Sequence, residues 1–313
     1  PENCIQWIKS STREETAALM AHPKTALVIA TGSVDVVRAA LNSGKPVIGI
    51  GPGNVPVFID SSAEIATACE AIISSKTFDL GTVCASEQAL IVLKDIAEKV
   101  KEELIKKGAY FLSPEEIKKL EPVAYNSQEG VMRVEVIGQP ASKIATLANF
   151  EVPETTSVLI APLEIVGPQS PLSMEILAPI LAFYVAENEN QAFDLAKRIL
   201  KNGGVGHTAS IFSTRASQIA RFAREMPAGR ILINTPAALG ALGGIYNKLK
   251  PSFVLACGPA AGNIFMDNIS VNHLFLRKKI VEPRLNPFFR KELRELYLNE
   301  SITLEKLDNL INL

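Results

Sequence analysis

The chain has 313 residues, 47% hydrophobic and 21% charged, with a formal net charge of −1. This is the composition of an ordinary globular protein large enough for two domains, and the interspersed charges exclude the basic stripe of a nucleic-acid binder. No apolar run is long enough to span a bilayer and no signal-peptide pattern is present, so a cytoplasmic location and no membrane partner are expected.

The chain begins at Pro1 without an initiator methionine, and its first residues read as mid-domain sequence, so upstream sequence is expected to be missing. The run ALVIATGS (26–33) reads as an apolar strand ending in a glycine turn. VDVVRAALNSG has helical spacing and stops at Gly44, and KPVIGIGPGN (45–54) is a second apolar strand running into glycines. Strand, helix and strand at this spacing predict a βαβ unit of a parallel sheet. A helix follows in DSSAEIATACEAIISSKTF, capped by Asp60 or Ser61, with Ile65, Cys69, Ile72 and Ile73 on its apolar face. Strand ALIVL, helix KDIAEKVKEELIKKG (94–108), and LSPEEIKKL with Ser113 and Pro114 at a helix start come next. Strands 157–163 and 179–186, helix 190–204, strand TASIFS, helix SQIARFAREM and strand RILINT continue the α/β alternation. KELRELYL and LEKLDNLINL predict helices in a charged tail, the latter with an apolar stripe that could pack on a partner subunit.

Cys4, Cys69, Cys84 and Cys257 are scattered, and with only His22, His207 and His273 they predict no zinc site. The thiols are expected to be free. Cys69 belongs to a helical core stripe, whereas Cys84 sits in SKTFDLGTVCASEQ (75–88), in a short turn with Gly81 and no stripe to join. Such a turn allows two roles. A thiol near backbone N–H groups can become a nucleophile with an oxyanion site beside it, or a small residue can simply fill a tight turn. The ATGS turn (30–33) has two readings as well: an anion-binding helix N-terminus, or a glycine that the turn requires. GIGPGN (49–54) must bring bare backbone close to something, and it fits neither a P-loop nor a GxGxxG fingerprint.

Five segments in order shift the balance among these: IATGSVDVVRAA, GKPVIGIGPGNVPVFID, SSKTFDLGTVCASEQ, GGVGHTASIFS and GRILINTPAALGALGGIYN. Together, over roughly residues 1–275, they resemble the CoA-acylating aldehyde dehydrogenases, including the aldehyde half of the bifunctional aldehyde-alcohol dehydrogenases. The resemblance implies an α/β, aldehyde-dehydrogenase-like fold. Residues 1–60 would be the second half of a Rossmann-type dinucleotide-binding domain, 61–275 the catalytic domain and 276–313 a helical tail. It implies Cys84 as nucleophile, forming a thiohemiacetal with the aldehyde and then a thioester, with its own N–H holding the oxyanion. NAD or NADP would lie along Thr31, Gly32, Ser33, Gly51 and Gly53. Glu175, read locally as a carboxylate at a strand start, would hold the nicotinamide ribose. His207 would either contact CoA or cofactor, or take the thiol proton. Locally it is a turn histidine hydrogen-bonded to backbone. Cys257 stands beside a glycine turn that is expected to line the acyl pocket. A homo-oligomer acting on a small aldehyde and acyl-CoA is expected from the same resemblance.

Hydrolytic aldehyde dehydrogenases carry a glutamate where this chain reads VIGIGPGN, and residues 47–54 contain no carboxylate. Without that base, water attacks a thioester slowly and the thiol of CoA can take the acyl group. A glutamate placed at residue 50 is accordingly expected to restore some hydrolysis. The family's upstream strands, with the asparagine that completes its oxyanion hole, are not in this sequence. Two other readings therefore stand beside the first: a related reductase working on acyl phosphates without CoA, and an inactive α/β subunit.

Overall fold

The computed structural model describes residues 2–262, 265–281 and 303, so the two predicted tail helices lie outside the described residues. The chain divides into two units, Pro1–His273 and Leu274–Leu313. In the second unit, residues 274–281 form no helix or strand and are exposed.

The first unit opens with α1 (Arg13–Ala21), β1 (Val28–Thr31), α2 (Val34–Leu41) and β2 (Val47–Ile50). β1 and β2 pair in parallel, with Thr31 opposite Ile50, as the predicted βαβ unit requires. Then come β3 (Val55–Ile59), α3 (Ile65–Thr77), β4 (Glu87–Leu93), α4 (Ala97–Lys106), β5 (Ala109–Phe111) and α5 (Pro114–Ala124). A small antiparallel hairpin, β6 (Tyr125–Asn126) with β7 (Val131–Met132), precedes α6 (Ala141–Leu147) and β8 (Val158–Pro162). The unit continues with β9 (Ile180–Ala186), α7 (Glu189–Ile199), β10 (Thr208–Phe212), α8 (Ala216–Glu225), β11 (Arg230–Ile233) and α9 (Ala237–Leu242).

Among the described residues the larger sheet has the strand order β11-β10-β3-β4-β9-β8-β5, and every neighbouring pair is parallel. β3 and β4 are buried at every position, because helices cover both faces of a parallel sheet and leave no side for water. One core gathers these strands with Cys69, Ile72 and Phe193 from the helices. A second lies under α5 and α6, around Leu120 and Ile144. Because β3 joins this larger sheet, the change of sheet falls between Ile50 and Val55, ahead of the boundary expected at residue 60.

Local signals set several helix starts. Ser113 and Glu116 form a capping box on α5 with Pro114 at its first position, as the sequence predicts. Asp60 and Ser61 do not cap α3. Glu64 does, accepting from the Thr67 N–H at 2.8 Å, because Asp60 is drawn into an ion pair. α7 ends at Ile199 rather than 204, since Asn202 and Gly203 leave the helical region and turn the chain toward β10.

With all seven strands parallel, their amino ends share one edge. The turns before β3, β4, β9 and β10 meet there, and those four strands are neighbours in the middle of the sheet. At the opposite edge, Asp60 follows β3 and Ser213 follows β10. The buried Asp60 accepts from the hydroxyls of Ser62 at 2.5 Å and Ser213 at 2.8 Å and forms an ion pair with Arg215, which also reaches Glu189.

Candidate active site

Cys84 reaches the amino edge through a contorted turn. Asp79 and Leu80 are both left-handed (φ 49° and 53°), a conformation that costs non-glycine residues about 1–3 kcal/mol each. Gly81 follows at φ 76°, where a Cβ would stand 2.7 Å from the Ala178 carbonyl oxygen. The Thr82 N–H and hydroxyl both bond back to Asp79, and the Ser86 N–H donates to the Val83 carbonyl as the chain enters β4. Cys84 is left half-buried at the tip.

Three turns close on it. A Cβ on Gly53 would lie 1.9 Å from the Cys84 carbonyl oxygen and 3.2 Å from His207 Nε2, so only glycine fits beneath the cysteine. This is the close approach of bare backbone that the glycine-rich turn demanded. The Gly53 N–H donates to Glu175 Oε1 at 2.7 Å. Asn54, fully buried, donates through Nδ2 to the carbonyls of Ser173, Ile199 and Asn202, tying the turns before β9 and β10 to β3.

His207 is brought in by Gly206, which is left-handed and leaves 2.0 Å between a Cβ position and the Cys257 carbonyl oxygen. Its Nε2 lies 3.3 Å from Cys84 Sγ and its Nδ1 lies 3.0 Å from Thr208 Oγ1. The ring is fully buried. Burial, helped by the nearby Arg230 charge, drives its pKa down to about 3, so it is neutral at physiological pH. Arg230 is itself buried and braces the site. Its guanidinium donates to Asn268 Oδ1 and to the carbonyls of His207, Ala256 and Asp267. The Cys84 thiol is pushed up to about 12, mainly by burial and then by the Glu175 charge, so in this arrangement it holds its proton. Glu175 is pushed up to about 7 by burial, against the opposing Gly53 hydrogen bond and Lys76 charge.

A cavity of about 1040 Å³ opens above the cysteine, with Thr31, Gly32, Ser33, Gly51, Cys84 and Glu175 in its wall. Its first side is the carboxyl end of β1 and the start of α2, where Ser33 is the N-cap and makes no side-chain capping bond. The β6–β7 hairpin forms part of the rim.

Six of the eight residues singled out in the sequence thus line one cavity, and the other two sit directly behind Cys84. Gly53 is buried and acts on Cys84 and Glu175 rather than facing the cavity, because its N–H is taken by the Glu175 carboxylate. His207 is screened from the cavity by burial and reaches the sulfur instead. Glu175 lies in a loop five residues before β9 rather than at a strand start. Cys257 is buried, donates toward the Leu255 carbonyl at 3.4 Å and does not line the cavity. Ile50 is fully buried against Ala256 and Cys257, so a glutamate there would be a buried charge. Gly51 is the neighbour on the cavity wall, where a Cβ would meet only Ala261 Cβ at 4.0 Å.

Sequence reasoning missed Asn54, Thr208 and Arg230, and also a buried polar group beneath the turn: Ser75, Lys76, Glu87 and Gln88. Gln88 Oε1 accepts from the Ile176 N–H at 3.1 Å and so positions the residue next to Glu175. Burial lowers the Lys76 pKa and raises that of Glu87. Helical spacing held a signal for Lys76, since positions 69, 72, 73 and 76 fall on one face of α3. Among the described residues no cluster of three or more His, Cys, Asp or Glu could hold a metal ion, and no helix is long and apolar enough to cross a membrane.

A model of the aldehyde dehydrogenase family matches residues 1–246. The bifunctional aldehyde-alcohol dehydrogenase of Escherichia coli K12 is 39% identical over 99% of this chain, which spans only 35% of that relative's length. Among solved structures, an acetylating aldehyde dehydrogenase from Geobacillus thermoglucosidasius superposes with a TM-score of 0.84 at 41% identity, over 90% of this chain and 64% of that one. A propionaldehyde dehydrogenase from Rhodopseudomonas palustris with bound propionyl-CoA gives 0.71 at 28% identity, over 82% of this chain and 55% of that one.

Proposed function

The chain belongs to the aldehyde dehydrogenase family, and on that premise we propose that it carries the CoA-acylating form of the chemistry, interconverting a short-chain aldehyde and its acyl-CoA through Cys84. The observation that carries the proposal is the Cys84–His207 contact at 3.3 Å beside a cavity whose Gly51 wall offers only backbone. The likeness to an acetylating enzyme and to a propionaldehyde dehydrogenase with bound propionyl-CoA supports it.

In this reading Cys84 Sγ adds to the aldehyde carbon, and the thiol hydrogen ends on the carbonyl oxygen, giving a thiohemiacetal. The Cys84 backbone N–H is a donor for the oxyanion as it develops. A nicotinamide dinucleotide fits the remaining groups. The Thr31–Ser33 turn, with an N-cap side chain left uncommitted, would take the pyrophosphate, and Glu175 on the cavity wall would take the ribose. When bound, that group would supply a hydride acceptor, and loss of hydride from the thiohemiacetal carbon together with its hydroxyl proton, which passes to solvent, would leave Cys84 acylated. Gly51 and Gly53 bring no carboxylate of their own to the thioester, and Glu175 is engaged by the Gly53 N–H and would be taken by the ribose, which leaves water without a free base there. A second thiol then displaces Cys84, carrying the acyl group away as a new thioester and returning the Cys84 thiol.

The test is to mix the intact protein with a short aldehyde and NAD or NADP, with and without CoA, and follow the reduced nicotinamide. Reduction that needs CoA is expected. Reduction that proceeds equally with water or inorganic phosphate in place of CoA would overturn the acylating reading.

A further inference from the structure

The two ring nitrogens of His207 have one neighbour each, and the proton between them can be placed by counting donors. Neutral imidazole carries one N–H. If Nδ1 held it, Nδ1–H would donate to Thr208 Oγ1 and the Cys84 thiol would donate to Nε2. The Thr208 hydroxyl hydrogen would then have nowhere to go, because among the described residues Oγ1 has no hydrogen-bond partner except His207 Nδ1, and Thr208 is fully buried. If Nε2 holds the proton, the Thr208 hydroxyl donates to Nδ1, Nε2–H donates to Cys84 Sγ, and every buried donor is placed. The thiol hydrogen then belongs on the cavity side of the half-buried cysteine. Leaving a buried donor unpaired disfavours the first arrangement by about tenfold or more.

We infer that Thr208 is a positioning residue that fixes His207 as the Nε2–H tautomer, so that His207 acts on Cys84 as a hydrogen-bond donor and not as the acceptor of its proton. Of the two proton roles open to a histidine there, this selects the donor. It suits two moments of the cycle: negative charge gathering on sulfur as its proton leaves toward the cavity, and Cys84 departing as thiolate. In that second step the bond from the incoming thiol's sulfur to the acyl carbon forms while the Cys84 Sγ–carbon bond breaks. The incoming thiol's proton balances the charge on the departing sulfur. Among the described residues the charged and titratable groups acting on the ring are Cys84 and Arg230, the latter donating to the His207 carbonyl at 3.4 Å. Neither offers Nδ1 a competing partner.

The inference rests on the Cys84–His207 pairing used above, but its readouts need no turnover, so the two can fail separately. The chain has three histidines, so in the His22→Gln, His273→Gln double variant the one remaining ¹⁵N-histidine side-chain signal is His207. A proton on Nε2, unchanged between about pH 6 and 8, is expected. A proton on Nδ1, or an imidazolium, would overturn the assignment. Thr208→Val keeps the shape and removes the hydroxyl, and alkylation of Cys84 by iodoacetamide, followed by peptide mass spectrometry, should slow by about tenfold. Thr208→Ser should restore both the tautomer and the rate. A Val variant that keeps both would remove Thr208 from the role, even with the protein fully folded.

Discussion

The two edges of the seven-stranded sheet are built from the same strands and treated in opposite ways. At the carboxyl edge, Asp60 is buried with its oxygens engaged by Arg215, Ser62 and Ser213, and the Asn234 side chain makes two bonds with the Ser213 backbone. At the amino edge, buried polar atoms of Asn54, Ser86, Glu87 and Gln88 have no partner among the described residues. One edge spends its polar groups on holding the fold together. The other keeps them in reserve beside a cavity. In an open parallel sheet the carboxyl edge is the usual place for ligands. Here the cavity satisfies that rule through β1 and β2 while using the opposite edge of the larger sheet.

The comparison is broken most sharply at Cys84. Cys84→Ala should lower CoA-dependent nicotinamide reduction by about 10³-fold or more, with no loss of thermal stability, since the turn already accommodates a small residue. Arg215→Ala should do the reverse. It strands the buried Asp60 carboxylate and should cost about 2–4 kcal/mol in denaturant unfolding, while turnover per folded molecule stays unchanged. A fall in turnover there would show that the two edges are coupled.

Gly53→Ala sharpens the picture because it strikes structure and chemistry together. The added methyl meets the Cys84 carbonyl at 1.9 Å, so Cys84 must shift, and a misplacement of that kind costs about 10²-fold in kcat. Overpacking should remove about 1–3 kcal/mol of stability as well.

The edges should also respond to pH with opposite sign. For Asp60, burial alone would raise the pKa, but Arg215, Ser62 and Ser213 together bring it below the ordinary carboxylate value. Its contribution to stability is therefore present above about pH 4 and lost as pH falls through its folded value. Glu175 is raised to about 7. Its contribution is full below its unfolded pKa and is lost as pH rises toward 7. Glu175→Gln should flatten the decline in unfolding free energy between about pH 4.5 and 7, and Asp60→Asn should flatten the rise at lower pH. The smallest effect is expected from Gly51→Glu, which places a carboxylate on the cavity wall with only Ala261 Cβ, at 4.0 Å, against its Cβ and should give slow reduction without CoA. No CoA-independent rate in a folded, acylating variant would mean that the absent base is not what reserves the thioester for a thiol.

Most of the sheet was legible because a parallel strand buried on both faces writes itself as an unbroken apolar run, as ALIVL does. By contrast, β3 (Val55–Ile59) does not read as a strand, its run being short, broken by Pro56 and joined to the glycine turn ahead of it. Cys84 and His207 stood out through the glycines around them, which positive φ and close backbone contact demand. What stayed hidden was partnership over distance. Asp60 looks like a helix cap until Arg215, 155 residues away, is beside it. Glu175 looks like a solvated charge until the Gly53 N–H is found on it. Lys76 reads as an ordinary helix lysine, although its spacing from Cys69 and Ile72 places it on the core face. Side-chain type and local period predict elements, while the ends of loops closed by a sheet are paired only by the fold.

That dependence sets the order in which the protein can acquire its chemistry. Cys84 and His207 are 123 residues apart and Gly53 and Glu175 are 122 apart, and contacts closed over such spans are slow to form. A chain still on the ribosome can complete β4 and present Cys84 long before β10 exists to bring in the histidine. Until it docks, the thiol stands without its neighbour and open to any oxidant or disulfide it meets. Protection of the cysteine and competence of the site therefore arrive in one event, the seating of β10 against β3.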